Sequence, residues 1–374
     1  MKVLHFYKAY LPDSKGGVEQ SINQLARSGS SFGVDVEVLT LSLNEKKNSI
    51  KLDNHLVHNC LTNFEIASTP FSLSAFFRLK ELIKAADIIH YHFPYPFADI
   101  LHFIARVKKP SVLTYHSDIV QQKYLYKIYH PLMNKFLKSV DHIVATSPNY
   151  LKTSKVLTRF KEKVSVIPIG LDKSSYPIPS KSNLVYWRKK FRNKFFLFVG
   201  VMRYYKGLHI LIEAASKSDY PIVIVGSGPI ERELKLKVKK EGVNNIHFVG
   251  FVSDLDKVSL FTLSYAIVFP SHLRSEAFGI SLLEGAMHGK PLISSEIGTG
   301  TTYININGET GLVVEPSNPK ALHKAMEYLW KNPNIAKKMG EGAAKRFDSY
   351  FTANKNAESY HNLYISLLNE SNKI

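Results

Sequence analysis

Two series of short, apolar, β-branched segments, each alternating with stretches of helical period, leave this chain few ways to fold. In the first half "KVLHFY", "VDVEVLTL", "DIIHYHF", "PSVLTYHS", "DHIVATS" and "VSVIPIG" read as strands; in the second, "FFLFVGV", "YPIVIVG", "NIHFVG", "YAIVFP", "PLISS" and "GLVVEP" do. Strands separated by helices of about 10 to 15 residues imply parallel sheets covered on both faces. At 374 residues the chain also exceeds what a single core usually serves. The expectation is α/β, with two doubly wound, Rossmann-like domains facing a central cleft, where ligands meet the carboxyl ends of the strands. Residues 1–170 are expected to form the first domain and 195–350 the second. Residues 171–194, rich in Pro, Ser and Lys and without a strong period, read as a linker. The tail, 351–374, sets Tyr360, Leu363, Tyr364 and Leu367 at helical spacing, which predicts a helix packing back on the first domain.

Composition narrows the partners. A single cysteine, Cys60, rules out an intramolecular disulfide framework and suits a reducing compartment. The amino terminus lacks a signal-length apolar run, and no window approaches the roughly 20 apolar residues that span a bilayer. A cytoplasmic protein is expected. The formal charge of +18 favours anionic partners: nucleic acid, a membrane surface or a phosphate-bearing substrate. No zinc-finger spacing or RNP-type aromatic motif is present, so nucleic acid is not expected. A lysine-rich solvated surface would account for the charge as well.

The stretch "RSEAFGISLLEGAMHGKP" carries Glu276 on a loop and Glu284 inside the helix that follows, which is expected to start near Gly279 or Ile280. Free N–H groups at a helix start, around Gly279, Ile280 and Ser281, make an anion site, and Gly279 lets a phosphate approach the backbone. Arg203 and Lys206 follow the strand "FFLFVGV" and suit the charge of a diphosphate. Gly16 and Gly17 follow the first strand, where a side chain would obstruct phosphate. Taken singly, each feature also reads as an ordinary solvated helix, basic loop or tight turn.

Taken together, they resemble family 4 retaining glycosyltransferases, which have the GT-B fold. The family's Glu–x7–Glu signature falls on Glu276 and Glu284, with Phe278 and Gly279 at the matching intermediate positions. "FVGVMRYYKGLHILIEA" resembles its phosphate-clamp strand and helix, and "IVIVGSGP", "IHFVGFVS" and "KGGVEQ" follow in the family's order. The resemblance covers nearly the whole chain. It implies an acceptor-binding first domain and a second domain that binds a nucleotide sugar. It also implies that Glu276 contacts the transferred sugar, that Glu284 accepts from the ribose hydroxyls, and that Phe251, Val252 and Ser253 receive the nucleobase. His116 in "YHSD" matches the acceptor-side histidine and is expected to touch donor sugar or acceptor. Catalytic weight is expected on Glu276, His116, Arg203 and Lys206. No side chain stands out as a covalent nucleophile, so same-face displacement without metal or cofactor is expected. The amino-terminal segment resembles enzymes of bacterial O-antigen and capsule synthesis. That points to GDP-mannose, or else a UDP-hexose, and to a lipid-linked saccharide acceptor. A hydrolase, a nucleotide-sugar epimerase and a non-catalytic membrane-associated scaffold are the rival readings.

Three further features were weighed. "VIVGSGPIERE" has two glycines of a dinucleotide fingerprint but Glu231 at the third, and reads as a structural turn. His90 and His92 share a strand face, but four zinc ligands at suitable spacing are not evident, so core or cleft histidines are expected. In "IVQQKYLYKIYHPLMNKFLKSV", Leu125, Ile128, Leu132 and Phe136 form a helical stripe, with Lys123, Lys127, Lys135 and Lys138 on the other side. This pattern suits an anionic membrane surface, and slightly better an ordinary core-facing helix with a lysine-rich solvent face. Pro131 should kink the segment or begin a second helix.

Overall fold

The computed structural model describes residues 1–43, 49–119, 123–191 and 194–371, with only the backbone of Lys123. It divides into two units, Met1–Asp172 with Thr352–Ile374, and Lys173–Phe351.

In the first unit the strands are β1 (Lys2–Phe6), β2 (Asp35–Ser42), β3 (Ser49–Leu52), β4 (His55–Leu61), β5 (Phe64–Ile66), β6 (Thr69–Phe71), β7 (Ile88–Phe93), β8 (Ser111–Tyr115), β9 (His142–Ala145) and β10 (Val164–Val166). The main sheet runs β10-β9-β8-β7-β1-β2-β4-β3, parallel except where β3 meets β4. β5 and β6 form a separate antiparallel hairpin. The edge strand β3, its neighbour β4 and this hairpin are not legible in the sequence. "HLVHNCL" reads poorly as a strand because His55 and His58 are buried in it, bonded to Tyr10 and Glu37, while Leu56 and Leu61 are exposed. Order reverses between β1 and β7, the switch point where ligands of doubly wound sheets bind. One core face joins Val3, Val36 and Val38 to Ile22 and Leu25 of the helix Gly17–Gly29 and to Tyr360 and Tyr364 of the helix Ala353–Ser371. Thus the apolar stripe of the tail is buried in the first unit.

The second unit carries β11 (Phe196–Val199), β12 (Ile222–Val225), β13 (Ile246–Gly250), β14 (Ala266–Phe269), β15 (Leu292–Ser295) and β16 (Gly311–Val314), one for each segment read as a strand. They form an all-parallel sheet, β13-β12-β11-β14-β15-β16, with its switch point between β11 and β14. Every one of these strands except β13 and β16 is buried along its whole length, as continuous apolar runs in a covered parallel sheet must be.

The linker reading of 171–194 needs correction. This segment contains the helix Lys181–Lys190, which belongs to the second unit and packs on the helix Asp254–Leu263. Trp187 is buried, and its Nε1–H donates to Asp256 Oδ1 at 2.8 Å, while Asn183 Nδ2 donates to the same oxygen at 3.2 Å. The helix has a weak apolar period because one tryptophan and one carboxylate hold it, rather than a stripe. Replacing Asp256 by alanine is therefore expected to cost about 1–3 kcal/mol, since it strands the indole N–H. A thermal melt would read this as a lowered Tm, and an unchanged Tm would mean that ring packing alone holds the helix.

The basic segment also differs from expectation. A single helix, Lys123–Ser139, runs through Pro131 and starts no second helix there. Met133, Phe136 and Leu137 are buried, but Tyr124, Leu125 and Ile128 are 86%, 46% and 79% exposed. The apolar stripe therefore does not face the core over its first turns. Among the described residues no helix is long and apolar enough to cross a membrane.

Candidate functional site

In the second unit Arg203, Lys206, Glu276 and Gly279 lie on the loops that leave β11 and β14, the two sides of its switch point. The loop after β11 turns through Tyr204–Lys206 and ends at Gly207, whose φ of 71° lies in the left-handed region. A Cβ on Gly207 would run into the carbonyl of Pro270, so only glycine lets this loop press against the one after β14. The contact is stitched by His272, whose N–H donates to the Tyr205 carbonyl at 3.0 Å and whose Nε2–H donates to the Tyr204 carbonyl at 3.1 Å. Ser317 Oγ meets His272 Nδ1 at 3.0 Å and completes the ring's bonding.

This stitching brings Lys206 to Glu276. Their ion pair is nearly buried, with side chains 13% and 10% exposed, and Ser271 Oγ donates to the same Glu276 oxygen at 3.3 Å. Lys206 Nζ also lies over the Phe269 ring, 5.0 Å from its centroid. Arg203 is exposed, and its guanidinium makes no hydrogen bond or ion pair among the described residues. The site therefore holds one neutralised cation and one unpartnered cation.

Beyond Glu276 the chain enters the helix Ile280–Met287 through Gly279, which has φ 98° and supplies no capping side chain. The first N–H groups of a helix have no intrahelical partner, so the start at Ile280 and Ser281 is open to an anion. Phe278 does not contribute a side chain to such a ligand. It is buried, edge-on to Phe351 at 6.2 Å, and anchors the loop.

Glu284, 3% exposed, sits in different surroundings from Glu276. Its Oε1 accepts from Lys257 Nζ at 2.8 Å and from Tyr176 Oη at 3.1 Å. Burial opposes the charge of Lys257, but the carboxylate of Glu284, with that of Asp254 at 3.5 Å, outweighs it and raises the lysine's pKa. The two glutamates thus share neither a lysine nor a hydrogen-bond partner. Each is paired with its own cation, an arrangement suited to orienting hydroxyls rather than to the acid–base pairing of a hydrolase.

Of the three residues read as a nucleobase loop, Phe251 is 80% exposed, Val252 is half-buried, and Ser253 caps the helix Asp254–Leu263. The hydroxyl of Ser253 accepts from the Asp256 N–H at 3.1 Å and donates to Asp256 Oδ2 at 2.7 Å, so its side chain is already committed. Gly226 and Gly228 are structural, as expected. A Cβ at either would strike the backbone of Gly200 or Met202, just ahead of Arg203.

In the first unit Gly16 caps the helix Gly17–Gly29 with φ −85°, a conformation open to any residue. A side chain there would have to push aside the carboxylate of Glu19, which packs on Gly16 and accepts from Ser14 Oγ at 2.6 Å. His116 follows β8 and is 6% exposed. His90 and His92 are buried, and His5 of β1 joins them. His5, Tyr176, Lys257 and His272 carry no local signal in sequence, because only the sheet order and the loop contact bring them to their partners.

Residues 186–346 match the family described as Glycosyl transferases group 1, and residues 15–175 match Glycosyltransferase Family 4. The chain is 57% identical over 353 residues to D-rhamnosyltransferase WbpZ of Pseudomonas aeruginosa, covering 94% of this chain and 93% of the relative. It is 48% identical over 368 residues to O-antigen chain mannosyltransferase C of Escherichia coli, covering 98% and 99%. Among solved structures, sucrose-phosphate synthase from Thermosynechococcus elongatus superposes with a TM-score of 0.80 at 19% identity, over 99% of both chains. HepE from Anabaena, in complex with UDP and glucose, does so with a TM-score of 0.78 at 19% identity, over 98% of this chain and 100% of its own. The structural likeness is one of fold, the GT-B architecture.

Proposed function

Because the chain belongs to glycosyltransferase family 4, among the O-antigen glycosyltransferases, we propose that it moves a hexose from a nucleotide diphosphate sugar to a lipid-linked saccharide, with retention of anomeric configuration and without metal. The observation that carries this reading is the uncapped start of the helix Ile280–Met287, with the Lys206–Glu276 pair on the loops leading to it. Arg203, Lys206 and the N–H groups at Gly279, Ile280 and Ser281 would hold the diphosphate and stabilise the charge it gains as the glycosidic bond breaks. Glu276 orients hydroxyls of the transferred sugar, and the second oxygen of Glu284 takes the ribose. Phe251 and the backbone at Val252 and Ser253 border the base. Gly16 and Gly17, at the start of the helix Gly17–Gly29, are read as contacts to the donor diphosphate, and His116, just after β8, as a contact to donor sugar or acceptor. The leaving phosphate oxygen takes the acceptor proton in a same-face displacement.

GDP-mannose is the donor we favour, because the E. coli relative is a mannosyltransferase. The D-rhamnosyltransferase at higher identity favours a second reading, since D-rhamnose is mannose without the oxygen at carbon 6. A site that hydrogen-bonds that hydroxyl should reject the deoxy sugar by orders of magnitude, whereas one that merely accommodates it should not. Transfer to lipid extract should be compared between GDP-mannose, GDP-D-rhamnose and UDP-hexoses, with chelator present and the product anomer read by NMR. Retained configuration and one preferred GDP-sugar are expected. An inverted product, loss of rate on chelation, or preference for a UDP-hexose would each overturn the corresponding part.

We place the enzyme in the cytoplasm, at the inner face of the membrane, through the helix Lys123–Ser139. Exposed Tyr124, Leu125 and Ile128 share it with exposed Lys127, Lys135 and Lys138. The side chain of Lys123 lies outside the described residues. Binding to anionic vesicles should weaken with salt by roughly 1 kcal/mol for each lysine engaged. It should also fall in Ile128→Asp; salt-insensitive binding, or none, would remove this proposal.

A further inference from the structure

The switch point of the first sheet is crossed by a row of imidazoles. His5 on β1, His92 on β7 and His116 just after β8 come from three neighbouring strands. They are 0%, 3% and 6% exposed. His5 Nδ1 lies 2.9 Å from His92 Nε2, and His92 Nδ1 lies 3.0 Å from His116 Nε2. His90 stacks beside them, its ring centroid 4.5 Å from those of both His5 and His92. Its two nitrogens are taken by Tyr364 Oη and Thr114 Oγ1, each at 2.7 Å. The row runs from the dry interior to the carboxyl edge of the sheet. His5, His90 and His92 have nitrogens close enough together to surround a cation, but both nitrogens of His92 are already spent on His5 and His116, and both of His90 on the two hydroxyls.

The inner end of the row decides where its protons sit. His5 Nε2 is sealed from solvent and bonds to nothing among the described residues. An orphaned buried N–H is the rarer state in folded proteins, so the proton of His5 belongs on Nδ1, leaving Nε2 as a bare lone pair. His5 Nδ1–H then donates to His92 Nε2. His92, left with its proton on Nδ1, donates to His116 Nε2. The one proton of His116 is thereby forced onto Nδ1, which has no partner among the described residues. All three rings are neutral at ordinary pH: burial pushes His5 and His116 down to about 3, and His92 well below its usual range.

We propose that His92, backed by His5, is a positioning residue that locks His116 as an Nδ1–H hydrogen-bond donor to a substrate oxygen. His116 therefore takes no proton during transfer. This rests on the reading of His116 as a substrate contact. The row gives a role to His92 and His5, two residues that the transfer reaction itself leaves unused.

The test uses the intact protein with 15N-labelled histidine, free of ligand, in long-range 15N–1H correlation spectra. Signals of His92 and His116 are assigned by their loss in His92→Leu and His116→Gln. Both rings should show the proton on Nδ1; a proton on Nε2 of His116 would overturn the proposal, whatever the variants do. In transfer assays, His92→Asn keeps an N–H where His92 Nδ1–H stands and should retain the rate to within about threefold, while His92→Leu should lose roughly tenfold in kcat with little change in donor KM. If folded His92→Asn is as slow as His92→Leu, the relay is wrong and His92 only packs. If Nδ1–H is seen in both rings but no preparation transfers sugar, the glycosyl-transfer reading fails and the tautomer assignment stands.

Discussion

Replacing Lys206 by alanine is expected to lower the rate of glycosyl transfer by roughly a hundredfold, the usual loss when one preorganised charge facing a transition state is removed. The loop that carries Lys206 is held by Gly207, His272 and Tyr205, none of which the substitution touches. Only a positive charge disappears, and with it the cation that holds Glu276 in place. The carboxylate keeps Ser271 as a partner, which should limit the cost to stability. Glu276→Ala should cost at least about tenfold, because it removes the sugar's orientation but leaves Lys206 for the diphosphate. The two effects should not add, since the residues share one ion pair. Steady-state rates with saturating acceptor, beside circular dichroism, would check this. Unchanged rates in both folded variants would overturn the assignment of the site.

The largest effect on stability is expected from Lys257→Met. Lys257 is the cation that compensates Glu284, whose side chain is only 4% exposed. Removing one partner of a buried pair leaves an uncompensated charge and typically costs about 3–5 kcal/mol. For a unit of this size that corresponds to a fall in Tm on the order of 10 °C. The phenol of Tyr176 still donates to Glu284 and should keep the loss toward the lower end. The double change Lys257→Met with Glu284→Gln should recover much of the stability while losing donor affinity. A Tm within a degree or two of wild type in the single variant would contradict the pairing. The sign of the pH dependence follows as well. The folded lysine has a pKa raised above 10.5, so the contribution of the pair is fully present below that value and is lost as pH climbs through the higher folded one.

How far the sequence could carry this account depended on burial. Strands covered on both faces, such as "FFLFVGV" and "YAIVFP", declare themselves because every side chain in them is apolar. The half-exposed strands β3 to β6 do not, and they were missed. The helix Lys181–Lys190 passed for a linker since a single buried indole and one carboxylate hold it, a bond invisible to periodicity. In the helix Lys123–Ser139 the period is real, but it cannot say that the stripe is bare at Leu125 and Ile128 and buried at Phe136. At the candidate site the local pattern named Glu276, Glu284, Arg203, Lys206 and Gly279. It did not name Lys257, Tyr176 and His272, whose meaning comes only from the elements packed against them.

The central claim is that the second unit binds a nucleotide diphosphate sugar at the start of the helix Ile280–Met287. Saturation-transfer NMR with GDP- and UDP-sugars, followed by slow donor hydrolysis in the absence of acceptor, tests it most directly. Selective binding and turnover of a GDP-linked hexose, lost together in Lys206→Ala, is the predicted result. A folded protein that binds no nucleotide sugar would contradict it and leave the paired lysines and glutamates without the ligand assigned to them.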